Sequence, residues 1–530
     1  MANPSLQIGN SNWAIKESNL LGYSTAGTRF LPQPITMTRA SAGTRVNPQG
    51  LIETVELLGS EVVTNGDLTG GSTGWTLEAG WTYGTNALDF DSITNIKGAI
   101  PTITALVVGK IYKLTFDLSN ISLTSKILFS NIASNLEYVN TNSNYVNGSY
   151  EFYFNATDTD FAIYGYSVGD SFSIDNVSVK EVTRNNLARV DYDGTASSLL
   201  VEPQRTNLAT YSEDFSNASW LKVNSTVTPN TSVSPSGTLS ADKFIPNNTT
   251  ASIFIYNQVT FSASDYTLSF FVKYNGRQYF QLLFGSNVST DFSNFDLINH
   301  TVTSGNGNIE DYGNDWYKIS LTSNVNAATS EVYLWSIDSA TSSRASASTG
   351  NGTDGVHIWG GQIEQGSYPT SYIPTSGSSV TRVAESYVLP TTISLDSDFC
   401  LFWDGEVLEG DIMLYGSGNN NSWYMNYSTG SGRIILDESS GRKVQAFLGS
   451  GSPVGVKTKI LIRRSSGVHS VFANGTKLTN SVSVNSTTTL SLVSMFWSFN
   501  SSFNKGLKVN QSQVFKTSLS DSEAIALTSL

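Results

Sequence analysis

The sequence predicts an all-β chain built from several β-sandwiches in tandem. Three observations predict it: short alternating apolar/polar runs broken by Gly, Asn, Asp and Ser, a composition poor in charge and rich in aromatics, and an imperfect internal repeat. With 530 residues the chain is too long for one core, and about 150 residues per domain suggests roughly three or four domains. Hydrophobic residues make up 39%, enough for real cores, while charged residues are only 14%, against about 25% in an average soluble protein. Ser, Thr, Asn and Gly fill the difference and supply turns, and β-branched and aromatic side chains suit a pleated, half-buried surface.

The alternating runs place the strands. Tyr112–Leu118, Tyr266–Val272 and Lys459–Arg463 are the clearest. Helical signals are few. Asn12–Leu21 is read as a short helix, and Ser520-Asp521-Ser522-Glu523 ahead of Ala524, Ile525 and Leu527 is a capping box opening a final one.

The repeat sets the domain layout. One copy opens at Val63-Thr64-Asn65-Gly66-Asp67-Leu68, continues to Trp75 and Trp81, and closes at Asp170–Val179. The other opens at Ser212-Glu213-Asp214-Phe215-Ser216-Asn217, continues to Trp220, and closes at Asp354–Glu364. Each reads as an opening strand, a Trp, a central strand and a closing strand after an acidic turn, as in a sandwich whose first and last strands pair.

Charge and cysteine exclude several function classes. The net charge is −13, and no basic run exceeds Arg463-Arg464, so the footprint of a nucleic-acid binder is missing. No apolar run is long enough to span a bilayer, and the first residues lack the order of a signal peptide. Membrane insertion is not expected. The single cysteine, Cys400 in Phe399-Cys400-Leu401-Phe402, reads as a small buried hydrophobe.

Candidate catalytic sets are thin. His300, His357 and His469 lie far from one another in sequence and from Cys400, which argues against zinc. Gly449-Ser450-Gly451-Ser452-Pro453 is not a nucleophile elbow, and no phosphate loop appears. Asp404, Glu406, Glu409 and Asp411 are the carboxylates a polysaccharide depolymerase would need, although a turn at Asp404-Gly405 explains the first pair as well. The expectation is therefore no enzymatic activity and no catalytic residue, with a depolymerase as the rival reading.

Sugar binding has a plainer basis: pyranose faces stack on aromatic rings, and hydroxyls pair with Asn, Asp and Gln. Trp75, Trp81, Trp220, Trp316, Trp359 and Trp423 are candidates, most of them expected in cores. Trp423 and Tyr424 beside Asn420 and Asn421 form the favoured exposed cluster.

Several stretches resemble known families. The Asn65-Gly66-Asp67 opening and the Ile174-Asp175-Asn176-Val177-Ser178-Val179 closing, with their counterparts over about 200–380, resemble carbohydrate-binding jelly rolls of the galactose-binding-like type. That resemblance implies a ligand site on one sheet face or on the loops at one end. It also implies a structural Ca²⁺ near the paired terminal strands, with Asp175 as a ligand; no other cofactor is expected. The segment 384–530, with Asn474-Gly475 and Leu519–Glu523, resembles a concanavalin-like (laminin-G-like) lectin sandwich.

Thr38–Glu53 and Arg189–Gly194 leading into Leu199–Leu208 resemble a family of phage virion proteins: head spikes, tail fibres and carbohydrate-binding structural proteins. The two stretches usually lie close together in that family, so the jelly roll between them reads as an insert. Ile8–Glu17 is similar to the start of such proteins in phages of Bacteroidota. The expected layout is an attachment segment at 1–57, an inserted jelly roll at 58–183, a second jelly roll at 184–383 and a lectin-like sandwich at 384–530. The resemblance implies a virion surface fibre or spike, made in the host cytoplasm and displayed for host attachment. Its partners would be other virion proteins through the first segment, bacterial surface glycans, and further copies of itself. A purely architectural decoration or connector protein stays open.

Within the shared motif, Arg39, Arg45, Glu202, Arg205 and Asn207 are read as a structural junction. Arg205 is expected to fork to Glu202 or Asp191, and Asn207 to close its own turn.

Overall fold

Alternation in the sequence becomes antiparallel sheet throughout. The computed structural model describes residues 3–530 except 10–12, 17–18, 27–28, 92–95, 125, 133–136, 140–144, 410–411, 417–421, 427–431, 450–453 and 497–505. Among the described residues the only helix is Asp521–Thr528, and no helix is long and apolar enough to cross a membrane. That helix starts as its sequence predicts: Ser520 accepts the Glu523 N–H while Glu523 accepts the Ser520 N–H.

The chain divides into two units, residues 56–184 and residues 1–55 with 185–530. The first unit pairs a six-stranded sheet with a five-stranded one. Its strand Ile111–Ser122 alternates buried Tyr112, Leu114, Phe116 and Leu118 with more exposed residues, which gives the sheet one apolar face. Its first strand, Leu57–Glu61, pairs with its last, Ser171–Thr183, and Arg184 forms an ion pair with Glu56 at 3.3 Å. This unit is therefore tied at its own ends.

The larger unit contains a sandwich of two six-stranded sheets over about residues 221–365. Strand Ser264–Asn275 lies between Tyr317–Val325 and Gly355–Gln365, and the core collects Trp220, Phe244, Leu268 and Phe270. The rest of the unit is a second sandwich built from both chain termini. Leu507–Phe515 pairs with Phe399–Val407, with Ala196–Val201 and with Leu6–Gly9.

Three sequence expectations change here. The first residues belong to the larger unit instead of standing apart from the sandwiches: Leu6 and Ile8 are buried in the same core as Trp403 and Val514. The helix read over Asn12–Leu21 is replaced by strands Ala14–Lys16 and Asn19–Ala26, which pair with each other and, through Asn19–Ala26, with Arg29–Thr38; these hairpin pairings outweigh a weak local helical pattern. The repeat openings are turns instead of strands, and the two turns are built alike. Trp75 Nε1 donates to the Asn65 carbonyl at 3.0 Å, and Trp220 Nε1 to the Tyr211 carbonyl at 2.7 Å. The closing strand then reaches each turn, through Val177 N–H to the Gly66 carbonyl and Gly361 N–H to the Ser212 carbonyl. At Gly66 this approach leaves no room for a side chain: a Cβ would lie 1.8 Å from the Val177 carbonyl oxygen.

Candidate functional site

One sheet face of the 221–365 sandwich carries a group of aromatic side chains. On strand Phe254–Phe261, Ile255, Val259 and Phe261 point into the core, so Phe254 and Tyr256 point out. On the neighbouring strand Ala328–Ser336, Val332 and Leu334 point in, so Tyr333 and Trp335 share the outer face. The register sets Phe254 opposite Trp335 and Tyr256 opposite Tyr333. Cross-strand aromatic pairs of this kind stabilise a sheet as well as forming a surface.

The four rings make a continuous platform. Phe254 stacks on Trp335 with centroids 4.1 Å apart and planes at 19°, and Tyr333 meets Phe254 edge-on at 5.3 Å. Tyr256 and Tyr333 lie 5.6 Å apart at 35°. Phe254, Tyr256 and Tyr333 are half-buried, while Trp335 is 6% exposed and acts as their support. The Trp335 indole N–H donates to the Ser346 carbonyl at 2.9 Å.

The segment after Trp335 borders the platform. Gln281 Nε2 donates to Asn294 Oδ1 at 2.6 Å, Asn294 Nδ2 donates to the Ser342 carbonyl, and the Ala345 N–H donates to Gln281 Oε1. Arg344 donates to the Phe284 carbonyl, and burial lowers its pKa. Burial and then the nearby Glu331 carboxylate push the Tyr333 phenol up to about 12, so it stays a neutral donor at any ordinary pH. Flat rings flanked by Glu331, Gln258 and Arg344 offer both stacking and hydrogen bonding, the two needs of a sugar ligand. Val332-Tyr333-Leu334-Trp335 carried this signal in the sequence, but Trp335 was not among the tryptophans singled out.

Of the cluster favoured from sequence, the described residues Trp423 and Tyr424 lie elsewhere and are not exposed. Trp423 is fully buried, stacked on Tyr415 at 5.9 Å in the terminal sandwich core. Tyr424 is half-buried, donates to Asp437 at 2.9 Å and accepts from Arg442 at 2.8 Å. Asn420 and Asn421 lie outside the described residues, as do Asp411 and Ser450–Pro453. Trp75, Trp81, Trp220, Trp316 and Trp359 are all core residues.

The junction residues form buried ion pairs. Glu385 accepts Arg39 Nη1 and Arg189 Nε, both at 2.6 Å, and Glu202 accepts Arg189 Nη1 at 2.7 Å with Arg382 at 3.1 Å. Burial alone would raise both carboxyls. Against it, Arg382 and Arg189 hold Glu202, and Arg189 chiefly holds Glu385, below the usual carboxylate range. Arg45 pairs instead with Glu53 at 2.8 Å. Arg205 does not reach Glu202 or Asp191; it pairs with Glu409 at 2.9 Å, a residue that long-range folding brings to it. Asn207 accepts from Ala209 N–H, closing its turn, and donates to the Gly361 and Ile373 carbonyls. Arg189, Arg382 and Glu385 were missed in the sequence reading, since nothing local marks an arginine whose acid lies 196 residues away.

Asp404 and Glu406 lie inside strand Phe399–Val407, at a register shift against Leu507–Phe515, where a turn had been expected. Gly405 permits this, because a Cβ there would lie 2.2 Å from the Lys508 carbonyl oxygen. Glu409 is committed to Arg205 and Ser367.

The Asp175 carboxylate accepts the Asn176 N–H, and Asp117 opposite accepts from Asn176 Nδ2 at 2.8 Å. Among the described residues no group of three His, Cys, Asp or Glu side chains is placed to hold a metal ion. Cys400 is buried, its thiol pushed up to about 12 by desolvation, and its sulfur accepts the Leu519 N–H at 3.3 Å.

No family model and no curated protein matches the chain. Among solved structures, the CBM40 domain of a Ruminococcus gnavus IT-sialidase bound to α2,3-sialyllactose aligns with 25% of this chain and 84% of its own, at 13% identity and TM-score 0.22. Trypanosoma rangeli sialidase aligns with 99% of this chain and 93% of its own, at 11% identity and TM-score 0.21. The same enzyme in complex with sialic acid aligns with 96% and 88%, at 12% identity and TM-score 0.17. The expectation of no enzymatic activity is corrected at this point, since chains aligned over nearly all of this one are sialidases. At such TM-scores the alignments transfer no sialidase chemistry.

Proposed function

We propose that this chain is a surface subunit of a phage particle, a fibre or spike, that holds a bacterial surface glycan on the Phe254/Tyr256/Tyr333 platform. The observation that carries the glycan part is the platform itself: three half-buried rings on one sheet face, supported by Trp335 and flanked by polar side chains. Exposed aromatic surface is costly to leave in water unless it is used, and clustered rings on a sheet are a surface built for contact. The particle part rests on the resemblance of Thr38–Glu53 and Arg189–Leu208 to phage virion proteins. Weak sugar sites suit a protein displayed in many copies, because linked sites gain about 10²–10⁴ in avidity.

The test is binding of the full chain to a glycan array and to host cells, alongside Tyr256→Ala and Tyr333→Ala. Each ring is expected to contribute about 0.5–1.5 kcal/mol, roughly a two- to tenfold loss of affinity. Binding that survives both substitutions together would remove the platform from the reading. Immunogold labelling of intact particles tests the location, and a chain absent from the particle surface would refute that part.

A further inference from the structure

The 221–365 sandwich contains a lysine in a place where an ammonium is costly. Lys318 lies on strand Tyr317–Val325 and is 3% exposed. Its Nζ donates to the Thr370 carbonyl at 2.6 Å and lies 5.6 Å from the centre of the Phe271 ring. Among the described residues no carboxylate is within 4.0 Å of Nζ. Glu310, opposite it on strand Asn308–Asp311, is exposed to solvent, and Glu364 and Glu202 act only from further off. Lysines are almost never fully buried without an acid against them. Burial outweighs these distant acids and, with the Arg382 charge, lowers the pKa of the amine, which favours the uncharged, nucleophilic form.

A carboxamide and a carboxylate meet the same carbonyl group. Gln362 and Glu364, on strand Gly355–Gln365, are as buried as Lys318. Gln362 Nε2 donates to the Thr370 carbonyl at 3.5 Å, the oxygen that Lys318 also reaches. The amine and the amide nitrogen are therefore no further apart than these two bonds laid end to end. Nε2 also donates to Glu364 Oε1 at 2.7 Å, and Gln362 Oε1 accepts the Ile373 N–H at 2.7 Å. That N–H polarises the amide and faces the oxygen on which negative charge develops when a nucleophile adds to Cδ. The Thr370 N–H and hydroxyl hold the Glu364 carboxylate in place, at 2.8 and 2.6 Å. Strand Ser264–Asn275 runs between Lys318 and Gln362, and its residue facing Gln362 is Ser269, whose small side chain makes no hydrogen bond. Nucleophile, polarised amide and proton carrier are thus gathered in one site that excludes water.

We propose that Lys318 and Gln362 become joined by an intramolecular isopeptide bond in the folded chain, with Glu364 moving the proton. The uncharged Lys318 amine adds to Gln362 Cδ. A bond forms from Nζ to Cδ, and the bond from Cδ to Nε2 breaks. The proton that Nζ gives up passes by way of the Glu364 carboxylate to Nε2, which leaves as ammonia. Nothing is oxidised or reduced, and no other reactant is needed. The product replaces a buried amine with a neutral amide, so the cost of burying its charge disappears. It also ties the two strands that flank Ser264–Asn275, a tie that no internal disulfide can supply with Cys400 as the single cysteine. The inference is independent of the glycan-binding reading.

The experiment is the intact mass of the purified full chain under denaturing conditions, followed by proteolytic mapping. The mass is expected to be one ammonia below that of the sequence, and the digest to contain a branched peptide joining the Lys318 and Gln362 segments. Lys318→Arg and Glu364→Gln are each expected to show the full mass and no branched peptide. Succinimide formation at an Asn-Gly pair also loses one ammonia, but that loss would survive Lys318→Arg. A full mass for the unsubstituted chain, an ammonia loss that persists in Lys318→Arg, or a branch between other residues overturns the proposal. A branched peptide that still forms in Glu364→Gln overturns the proton route. The unsubstituted chain decides the matter even if a variant fails to fold, and the thermal midpoint of each variant shows whether it does.

Discussion

Trp335 lies beneath Phe254, rings nearly parallel and 4.1 Å apart, with its indole N–H held by the Ser346 carbonyl. Little of Trp335 is accessible, so its effect on binding would be indirect, through the ring it supports. Trp335→Ala is therefore expected to lower glycan affinity about as much as Tyr333→Ala does, and to cost about 3–5 kcal/mol of stability by opening a cavity. Trp335→Phe keeps an aromatic support and should restore most of the affinity while losing the Ser346 contact. Affinity and unfolding measured on both variants check this. A merely structural role for Trp335 would leave the affinity of folded Trp335→Ala intact.

Glu385 joins residues that are far apart in sequence, since Arg39 and Arg189 both donate to it inside a fully buried site. Removing one member of such a group strands the others as uncompensated buried charges. Glu385→Gln is expected to destabilise the larger unit by about 3–5 kcal/mol. The same change at exposed Glu310 should cost less than about 1 kcal/mol. Denaturant unfolding of the two variants separates the outcomes.

The same acids make stability depend on pH. Glu202 and Glu385 have folded-state pKa values depressed below the ordinary glutamate value of about 4.3. Their stabilisation is therefore fully present above that value and is lost as pH falls through the depressed folded values. The unfolding free energy of the larger unit should be flat with respect to these groups from about pH 5 to neutrality and fall steeply below about pH 4. Glu202→Gln and Glu385→Gln should each flatten the acid limb, as followed by fluorescence of the buried tryptophans. An acid limb unchanged in both variants would assign acid sensitivity to other groups.

What the sequence made legible follows from locality. Tyr112–Leu118 and Tyr266–Val272 were readable as strands because period-two alternation is a local signal, and both lie within the observed strands Ile111–Ser122 and Ser264–Asn275. Ser520 and Glu523 were readable as a helix start because the capping box spans four residues. Which face of a strand meets solvent is not local. Trp423 and Trp335 both sit in alternating runs, yet Trp423 faces a core and Trp335 supports an outer face. Arginine partners are no more local: Arg205 finds Glu409, 204 positions on. The helix read at Asn12–Leu21 failed for a different reason: its partners are near in sequence, Ala14–Lys16 with Asn19–Ala26 and Asn19–Ala26 with Arg29–Thr38, and the weak helical pattern gave no sign of these hairpins.

The insert offers the last prediction. At one end of it the Val55 N–H donates to the Gly43 carbonyl, and at the other the Asn186 N–H donates to the Arg39 carbonyl while Asn186 Oδ1 accepts the Arg39 N–H. Both attachment points are thus anchored within the Arg39–Gly43 stretch of the larger unit, close enough for a short link to join them. The inserted unit has its own core of Trp81, Phe90, Leu114 and Phe172, paired first and last strands, and the Glu56–Arg184 ion pair across its ends. Replacing residues 56–184 by a short Gly/Ser linker is expected to leave a folded larger unit with an unchanged platform, and residues 56–184 alone are expected to fold. The entropy of closing such a link grows by only about 0.6 kcal/mol for each doubling of its length, so linker length should matter little. Cooperative unfolding of each piece, and glycan binding by the larger one alone, check this. A larger unit that fails to fold without the insert would show that residues 56–184 supply part of its core.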